Sequence, residues 1–395
     1  MKYWLVQLLV FLTLVASAQE SNPESKSHKK FLESNSFEVL HVGLPLVATG
    51  LAFTPSTGEF KSLRDSYCLN AHTSVDDYLQ YSPAALMIGL KSAGVESRSS
   101  WGRMLTSDAL SVVIVTLATN GLKSSIDVGR PDTGAKNSFP SGHTATAFMT
   151  ATMLHKEYGA VSKWYSIGGY TAATATGLMR VVNNRHWIRD VVVGAGLGIL
   201  ATEAGYLLAD MIFKERGINR DLDRFDTPSW YDIEKPSTIG LYLGSVMPTG
   251  KISDTTELEM GSVVGLEGAY FFGKHIGVGG RLALANAALT ESGVTLEDEV
   301  DIISGDVGCY FAFPFTPRLR FGTKALAGIK YYKEYLTISK GARAALGTGL
   351  SLEYLANRHF SMKAFCDYDA AYVTSLPKSN IYQTVTLGFV GSIIF

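Results

Sequence analysis

The chain has 395 residues, a length that suits two to three domains of ~150 residues each. Hydrophobic residues make up 46% and charged residues 18%, which excludes a disordered chain, while a mean hydropathy of +0.12 is low for a bundle made only of membrane-spanning helices. Lys plus Arg (35) balances Asp plus Glu (36), so no global field draws the chain to nucleic acid, and the three cysteines (Cys68, Cys309, Cys366) lack the spacing of a disulfide framework or a zinc site.

At the N-terminus Met1-Lys2 precedes an apolar run from Tyr3 to Val15 and then Ala16-Ser17-Ala18. This is the layout of a signal peptide over residues 1–18, so the chain is expected to be exported. The alternative is an uncleaved anchor, for which the run is short. Residues 19–36 are polar and charged, as in a flexible spacer. From 37 to 213, apolar stretches of helical length alternate with Gly, Ser and Asn breaks, at 38–53, 82–94, 107–122, 142–157, 163–179 and 187–213. This part reads as an all-α domain. A membrane-spanning helix wants ~20 apolar residues. The 109–122 stretch is shorter, and 191–213 carries Glu203 and Asp210, so a globular or membrane-surface bundle and an inserted one both remain open. Residues 214–235 then form a dense charge run before Pro236, where the domain boundary is expected.

Beyond Pro236 the period changes to two, and eight strands are expected near 238–247, 260–272, 275–288, 299–313, 318–331, 341–355, 359–372 and 382–395. Their connections alternate between long (248–258, 289–298, 332–340, 373–381) and tight (273–274, 314–317, 356–358), the arrangement of outer-membrane barrels. In the fifth strand Leu319, Phe321, Ala325, Ala327 and Ile329 share one face, and Arg318, Arg320, Lys324 and Lys330 the other. In the seventh, Phe360, Met362, Ala364, Cys366 and Tyr368 oppose Ser361, Lys363, Asp367 and Asp369. One face suits lipid and the other a polar lumen, so 236–395 reads as an eight-stranded antiparallel β-barrel. A soluble sandwich or lipocalin-like barrel also alternates, with its apolar face inward. The terminal Phe395 resembles the C-terminal signal of Gram-negative outer-membrane proteins. An even strand number puts both barrel ends on the tight-turn rim, so the helical domain is expected in the periplasm.

Three segments of the helical part fit one another: Lys123 to Pro131 (KSSIDVGRP), Phe139-Pro140-Ser141-Gly142-His143, and Arg180 to Asp190 (RVVNNRHWIRD). Arg130 and Arg180 can grip phosphoryl oxygens in bidentate fashion, and Lys123 adds a point charge. Ser141-Gly142 opens an apolar helical run, where free N–H groups favour an anion and glycine permits close approach. His143 stands at the same helix mouth. His186 and Asp190 are four residues apart, so on a helix they share a face, and the carboxylate can hold one ring nitrogen's proton while the other nitrogen attacks.

In this order the three segments resemble the signature of the type 2 phosphatidic acid phosphatase superfamily, which includes class A bacterial acid phosphatases, lipid phosphate phosphatases and vanadium haloperoxidases. The resemblance covers 37–213 and leaves the tail outside. It implies that His186 attacks phosphorus to give a phosphohistidine, that Asp190 orients it, and that His143 protonates the leaving alkoxide and later activates water. It further implies that Lys123, Arg130, Arg180 and the Ser141-Gly142 backbone stabilise the equatorial oxygens, with no metal or other cofactor. Met179 departs from the pattern, since many members carry Ser before the arginine. His155 reads as surface or core, Arg185 and Asp127 as ion-pair or headgroup contacts, and His28, His41, His72 and His275 form no constellation.

The expectation is therefore a metal-independent phosphomonoesterase tethered to the outer membrane by its own barrel. A phosphorylated envelope lipid is the favoured substrate: a lipid A phosphate, phosphatidylglycerol phosphate or a phosphatidate-like molecule. A broad-specificity acid phosphatase acting on soluble phosphoesters, and a vanadate-dependent haloperoxidase, are alternative enzymes. From another class, the chain is a barrel whose helical part only binds phospholipid, although binding alone does not need both imidazoles. The last alternative sets the helical domain in the inner membrane with a soluble periplasmic barrel behind it.

Overall fold

The computed structural model describes residues 39–53, 57–69, 71–222, 229–249, 256–291, 294–333, 341–372 and 381–395. The expected signal peptide (1–18) and spacer (19–36) lie outside the described residues. The chain divides into two compact units: 1–57 with 70–225, and 58–69 with 226–395.

The first unit holds α1 (Gly43–Ala52), α3 (Val75–Leu79), α4 (Ser82–Ser92), α5 (Trp101–Ser125), α6 (Gly142–Tyr158), α7 (Lys163–Val182) and α8 (Ile188–Phe213). Its core gathers Met87, Met104, Val115, Met149, Met153, Leu154, Tyr158 and Tyr206. α6 begins where Ser141 caps it through Thr144, and α8 runs along α6 because position 194 is glycine. A Cβ there would lie 2.6 Å from the Ser141 carbonyl oxygen, closer than any side chain can come. This approach puts Asp190 against the start of α6, with the Ser141 N–H donating to the Asp190 carbonyl at 3.0 Å. α5 has 25 residues, longer than its apolar stretch suggested, because polar Arg103 and Ser107 face inward and extend it backwards. α5 and α8 are both long and apolar enough to cross a membrane by length and composition. α8 is largely buried within the bundle, whereas α5 exposes Leu105, Val112, Val113 and Leu117. Within the bundle Glu203 pairs with Lys156 at 2.5 Å, and Asp210 with Arg98 and Arg103.

The second unit is a closed antiparallel barrel of β1 (Thr238–Pro248), β2 (Thr256–Phe271), β3 (Ile276–Glu291), β4 (Val294–Pro314), β5 (Leu319–Tyr332), β6 (Gly341–Asn357), β7 (Phe360–Tyr372) and β8 (Ile381–Ile394), in sequence order with β1 closing on β8. It removes every free sheet edge. The expected long connection at 289–298 is instead mostly strand: β3 and β4 continue as a hairpin to Glu291 and Val294. Backbone pairing carries that extension past the point where side-chain alternation stops signalling it.

The faces fall as the alternation requires. Leu266, Leu282, Val307, Ile329, Leu346 and Leu350 are each more than half exposed on the outside, an apolar outer face of the kind that marks an interaction or membrane surface. Phe321, Ala325, Ala327 and Cys366 join them, while Leu319, assigned to that face from sequence, is 1% exposed at the tight-turn end of β5. Inside, Arg281, Arg320, Lys324, Lys330 and Lys363 meet Glu267, Asp306, Glu353, Asp367 and Asp369. Arg281 alone bridges Asp306 (2.9 Å), Asp367 (3.0 Å) and Asp369 (2.7 Å). The narrow interior accepts so many cations because each is neutralised in place.

One segment of the helical stretch belongs with this barrel. α2 (Thr57–Cys68) buries Phe60 and Leu63, accepts at the Glu59 carbonyl from Asn286 Nδ2 (3.3 Å), and sets Tyr67 under Lys333. The helical domain read as continuous from 37 to 213 is thus interrupted at 58–69. The two units part again at 225/226.

Candidate active site

The three sequence segments converge in the first unit. The C-terminal end of α5 carries Lys123, and the loop after it folds back so that Asn137 fixes two cations. Its carbonyl accepts from Lys123 Nζ (2.6 Å) and its side-chain oxygen from Arg130 Nε (2.7 Å). The same loop is tied to the third segment by Trp187, whose indole N–H donates to the Gly129 carbonyl at 2.8 Å. Ser141 caps α6, Gly142 and His143 form its first turn, and Arg180 sits in the last turn of α7. A Cβ added at Gly142 would meet nothing within 4 Å, so the fold leaves open space over that N-terminus.

His186 is 2% exposed and lies in the turn between α7 and α8, not on a helix. Its Nδ1 is 2.8 Å from the Ser138 carbonyl oxygen and 3.8 Å from Asp190 Oδ2. The first distance is a hydrogen bond and the second is not. Where Asp190 was expected to hold the ring proton directly, the Ser138 carbonyl accepts the hydrogen bond from Nδ1–H, because His186 precedes α8 while Asp190 occupies its first turn. Asp190 is fully buried; its Oδ2 accepts from Ser138 Oγ (2.5 Å) and from the Trp187 N–H (3.2 Å), capping α8. With Nδ1–H donating to a carbonyl, the neutral ring presents a bare Nε2 lone pair.

Burial depresses the proton affinity of His186 below the imidazole value of 6.5; Arg180 and Lys123 depress it further, and Asp190 opposes them. His143 is likewise held low, first by burial and then by Arg180, against Asp77 and Asp76. The charge of Arg180 also reaches Lys123 and Arg130, so three cations and two imidazoles share one field. A bound dianion would relieve that mutual repulsion.

Sequence reading missed Ser138, Asn137, Asp76 and Asp77. Ser138 and Asn137 adjoin the second motif, and their signal was adjacency alone. Asp76 and Asp77 lie 104 and 66 residues from Arg180 and His143, their partners, in a helix too short to show periodicity. Of the leftover residues, Arg185 pairs with Asp132 (3.1 Å), Asp127 with Lys136 (3.1 Å), and His155 Nδ1 lies 2.7 Å from Ser166 Oγ.

Comparison with known proteins follows this geometry. Residues 104–214, which hold all three segments, match the PAP2 superfamily. The helical unit carries a PAP2 domain. Over 177 residues the chain is 45% identical to a lipid A 1-phosphatase of Porphyromonas gingivalis, a match covering 45% of this chain and 40% of that relative. The chain therefore spans about two fifths of that relative's length. Among solved structures, LpxE of Aquifex aeolicus is similar at 23% identity over 36% of this chain and 92% of that one (TM-score 0.29). Neisserial surface protein A is similar at 10% identity over 41% of this chain and 97% of that one (TM-score 0.30). Met179, the departure within the PAP2 signature, lies in α7 and contributes its carbonyl to the Asn183 N–H at 2.8 Å.

Proposed function

We propose that the PAP2 domain hydrolyses phosphomonoesters through a phosphohistidine at His186. The observation that carries this reading is the Ser138 carbonyl on His186 Nδ1, which leaves Nε2 with a free lone pair on a ring that feels the charges of Arg180 and Lys123. In the first step Nε2 attacks phosphorus and the P–O bond breaks. Protonated His143 gives its proton to the departing oxygen. Lys123, Arg130, Arg180 and the Ser141-Gly142 N–H groups take up the charge of the equatorial oxygens. In the second step neutral His143 removes a proton from water, the new hydroxide attacks phosphorus, and the P–N bond electrons return to His186. Asp190, 3.8 Å from Nδ1, stabilises the positive ring that exists between the two steps.

The substrate is a phosphorylated envelope lipid, a lipid A phosphate first among them. The 45% identity to a lipid A 1-phosphatase and the apolar outer surface of the barrel both support this. The barrel spans the outer membrane after export, and the PAP2 domain works from the periplasmic side. In support, both barrel ends lie at the tight-turn rim, where the Trp230 N–H donates to the Pro317 carbonyl. The packing of α2 near Asn286 and Lys333, toward the other rim, is the observation against which that side must be tested.

The deciding experiment measures phosphate release from lipid A and from p-nitrophenyl phosphate by the full chain in EDTA, beside His186→Ala. Release that vanishes in the variant, with lipid A preferred, is expected. Release from the aryl ester alone would replace the lipid by soluble phosphoesters, and no release by folded protein would overturn the phosphatase reading.

A further inference from the structure

α3 is only five residues long, yet both of its acidic side chains enter the site. Asp76 is 1% exposed; its Oδ2 accepts from Arg180 Nη1 at 2.7 Å and its Oδ1 from Asn183 Nδ2 at 3.1 Å. The Asn183 side chain also clamps both polar groups of the Thr73 backbone, at 2.8 and 2.7 Å, and so ties the entry of α3 to the end of α7. Asp77 is more open. Its Oδ1 accepts from His143 Nε2 at 2.9 Å and lies 3.8 Å from Arg180 Nη1.

We propose that Asp77 is a positioning residue for proton transfer to the leaving group, holding His143 by its Nε2–H so that Nδ1 faces the departing oxygen, while Asp76 fixes Arg180 beside it. The proposal rests on the phosphatase reading above and assigns what that reading leaves open: which ring nitrogen moves the proton, and what keeps the ring charged. A neutral imidazole has one N–H; with that N–H on Asp77, Nδ1 is the acceptor, and in the imidazolium it is the donor. As the P–O bond breaks, the Nδ1 proton passes to the leaving oxygen and the ring stays neutral on Asp77. In the second step Nδ1 takes the proton from water. Among the described residues, the charged groups that act on this ring are Asp77 and Asp76 from α3 and Arg180 from α7. Arg180 favours the neutral ring, and the two carboxylates favour the charged one. An ion pair this open would add little to stability, so its contribution falls on the proton and not on the fold.

Asp77→Asn keeps the side-chain shape and removes the charge. With glycerol phosphate, whose alkoxide must be protonated to leave, kcat/KM is expected to fall by about 100-fold, within the range of general-acid effects. With 2,4-dinitrophenyl phosphate, whose leaving group departs unprotonated, it should change by less than about threefold. The alkaline limb for glycerol phosphate should move to lower pH, Asp77→Glu should recover most of the loss, and Asp77→Asn should add nothing in a His143→Ala background. Equal losses with both esters, or an unmoved alkaline limb, would reduce Asp77 to a structural contact and overturn the proposal. A readout free of turnover is the 15N spectrum of His143, expected as the Nε2–H tautomer in the unsubstituted protein. The Nδ1–H tautomer there would overturn the assignment even in a chain that releases no phosphate, whereas that silence with the expected tautomer would fault the phosphatase reading on which the proposal depends, and both would fall.

Discussion

Asp190→Asn separates the two groups that flank His186. The Ser138 carbonyl holds Nδ1–H at 2.8 Å and is untouched by the substitution, and Asn can still accept from the Trp187 N–H. What is lost is a negative charge 3.8 Å from a ring that becomes positive when phosphorylated. At an effective dielectric of ~20, two unit charges ~4 Å apart interact by ~4 kcal/mol. At ~1.4 kcal/mol per tenfold, that is about a thousandfold in kcat. The intermediate is affected far more than the ground state, so KM should move by no more than about threefold. Steady-state release of p-nitrophenol in EDTA, with circular dichroism as the check on folding, measures both constants. A kcat within about tenfold of the unsubstituted protein would refute the reasoning and leave the carbonyl as the only group that matters.

Other expectations follow from neighbouring features. Gly142→Ala adds a Cβ that meets no protein atom, so the protein should fold normally while KM for p-nitrophenyl phosphate rises by about tenfold, because the methyl group fills space an anion needs; an unchanged KM would remove the Gly142 N–H from the site. His186 must be neutral and His143 charged in the first step. Both rings bind protons less tightly than an imidazole of 6.5, so the acid limb, set by His186, and the alkaline limb, set by His143, both move down, and kcat/KM should peak on the acid side of 6.5; a peak on the alkaline side would contradict both shifts. Cys309 and Cys366 point outward from the barrel. In liposomes they should resist a charged maleimide and react with an apolar one, and equal labelling by both would argue for a water-soluble barrel. Arg281→Met takes from Asp306 its ion-pair partner and leaves Asp367 to Lys324 and Asp369 to Lys330, at a cost of about 3–5 kcal/mol, which should appear as a lower temperature for the loss of the barrel's compact gel mobility.

The barrel was legible because alternation is the physics that builds it. Arg320, Lys324 and Lys330 cannot face lipid, and Phe321, Ala325 and Ile329 have no place in a polar lumen, so both the register and the strand count follow. The end of β3 gave no such signal, since its residues no longer alternate between apolar and polar. The three segments that carry Lys123, Arg130, His143, Arg180 and His186, and that the fold brings together, stood out by residue type and local spacing; the roles of these residues are proposals. The distance of Asp190 from the ring was not legible, because a four-residue interval implies a shared helix face only if the helix includes both residues, and it begins after His186. α2 and α3 were invisible for a different reason. TGEFKSLRDSYC is too polar to present an apolar stripe, and VDDYL is too short to have a period. Partners of Asp76 and Asp77 come from α6 and α7, so only the folded chain reveals them.

α2 changes what a cut in the polypeptide can achieve. The backbone passes between the two compact units three times, at 57/58, 69/70 and 225/226, and only the last of these lies in the charged stretch before Pro236. A protease that nicks 214–235 should leave two fragments that purify together in detergent, held by the twelve residues of α2 that remain with the barrel. Dissection of the gene at the apparent boundary meets the same obstacle. A strand-only fragment beginning at 236 would lack the helix that contacts Asn286 and Lys333, and a helical fragment ending at 213 would carry that helix without the barrel it belongs to.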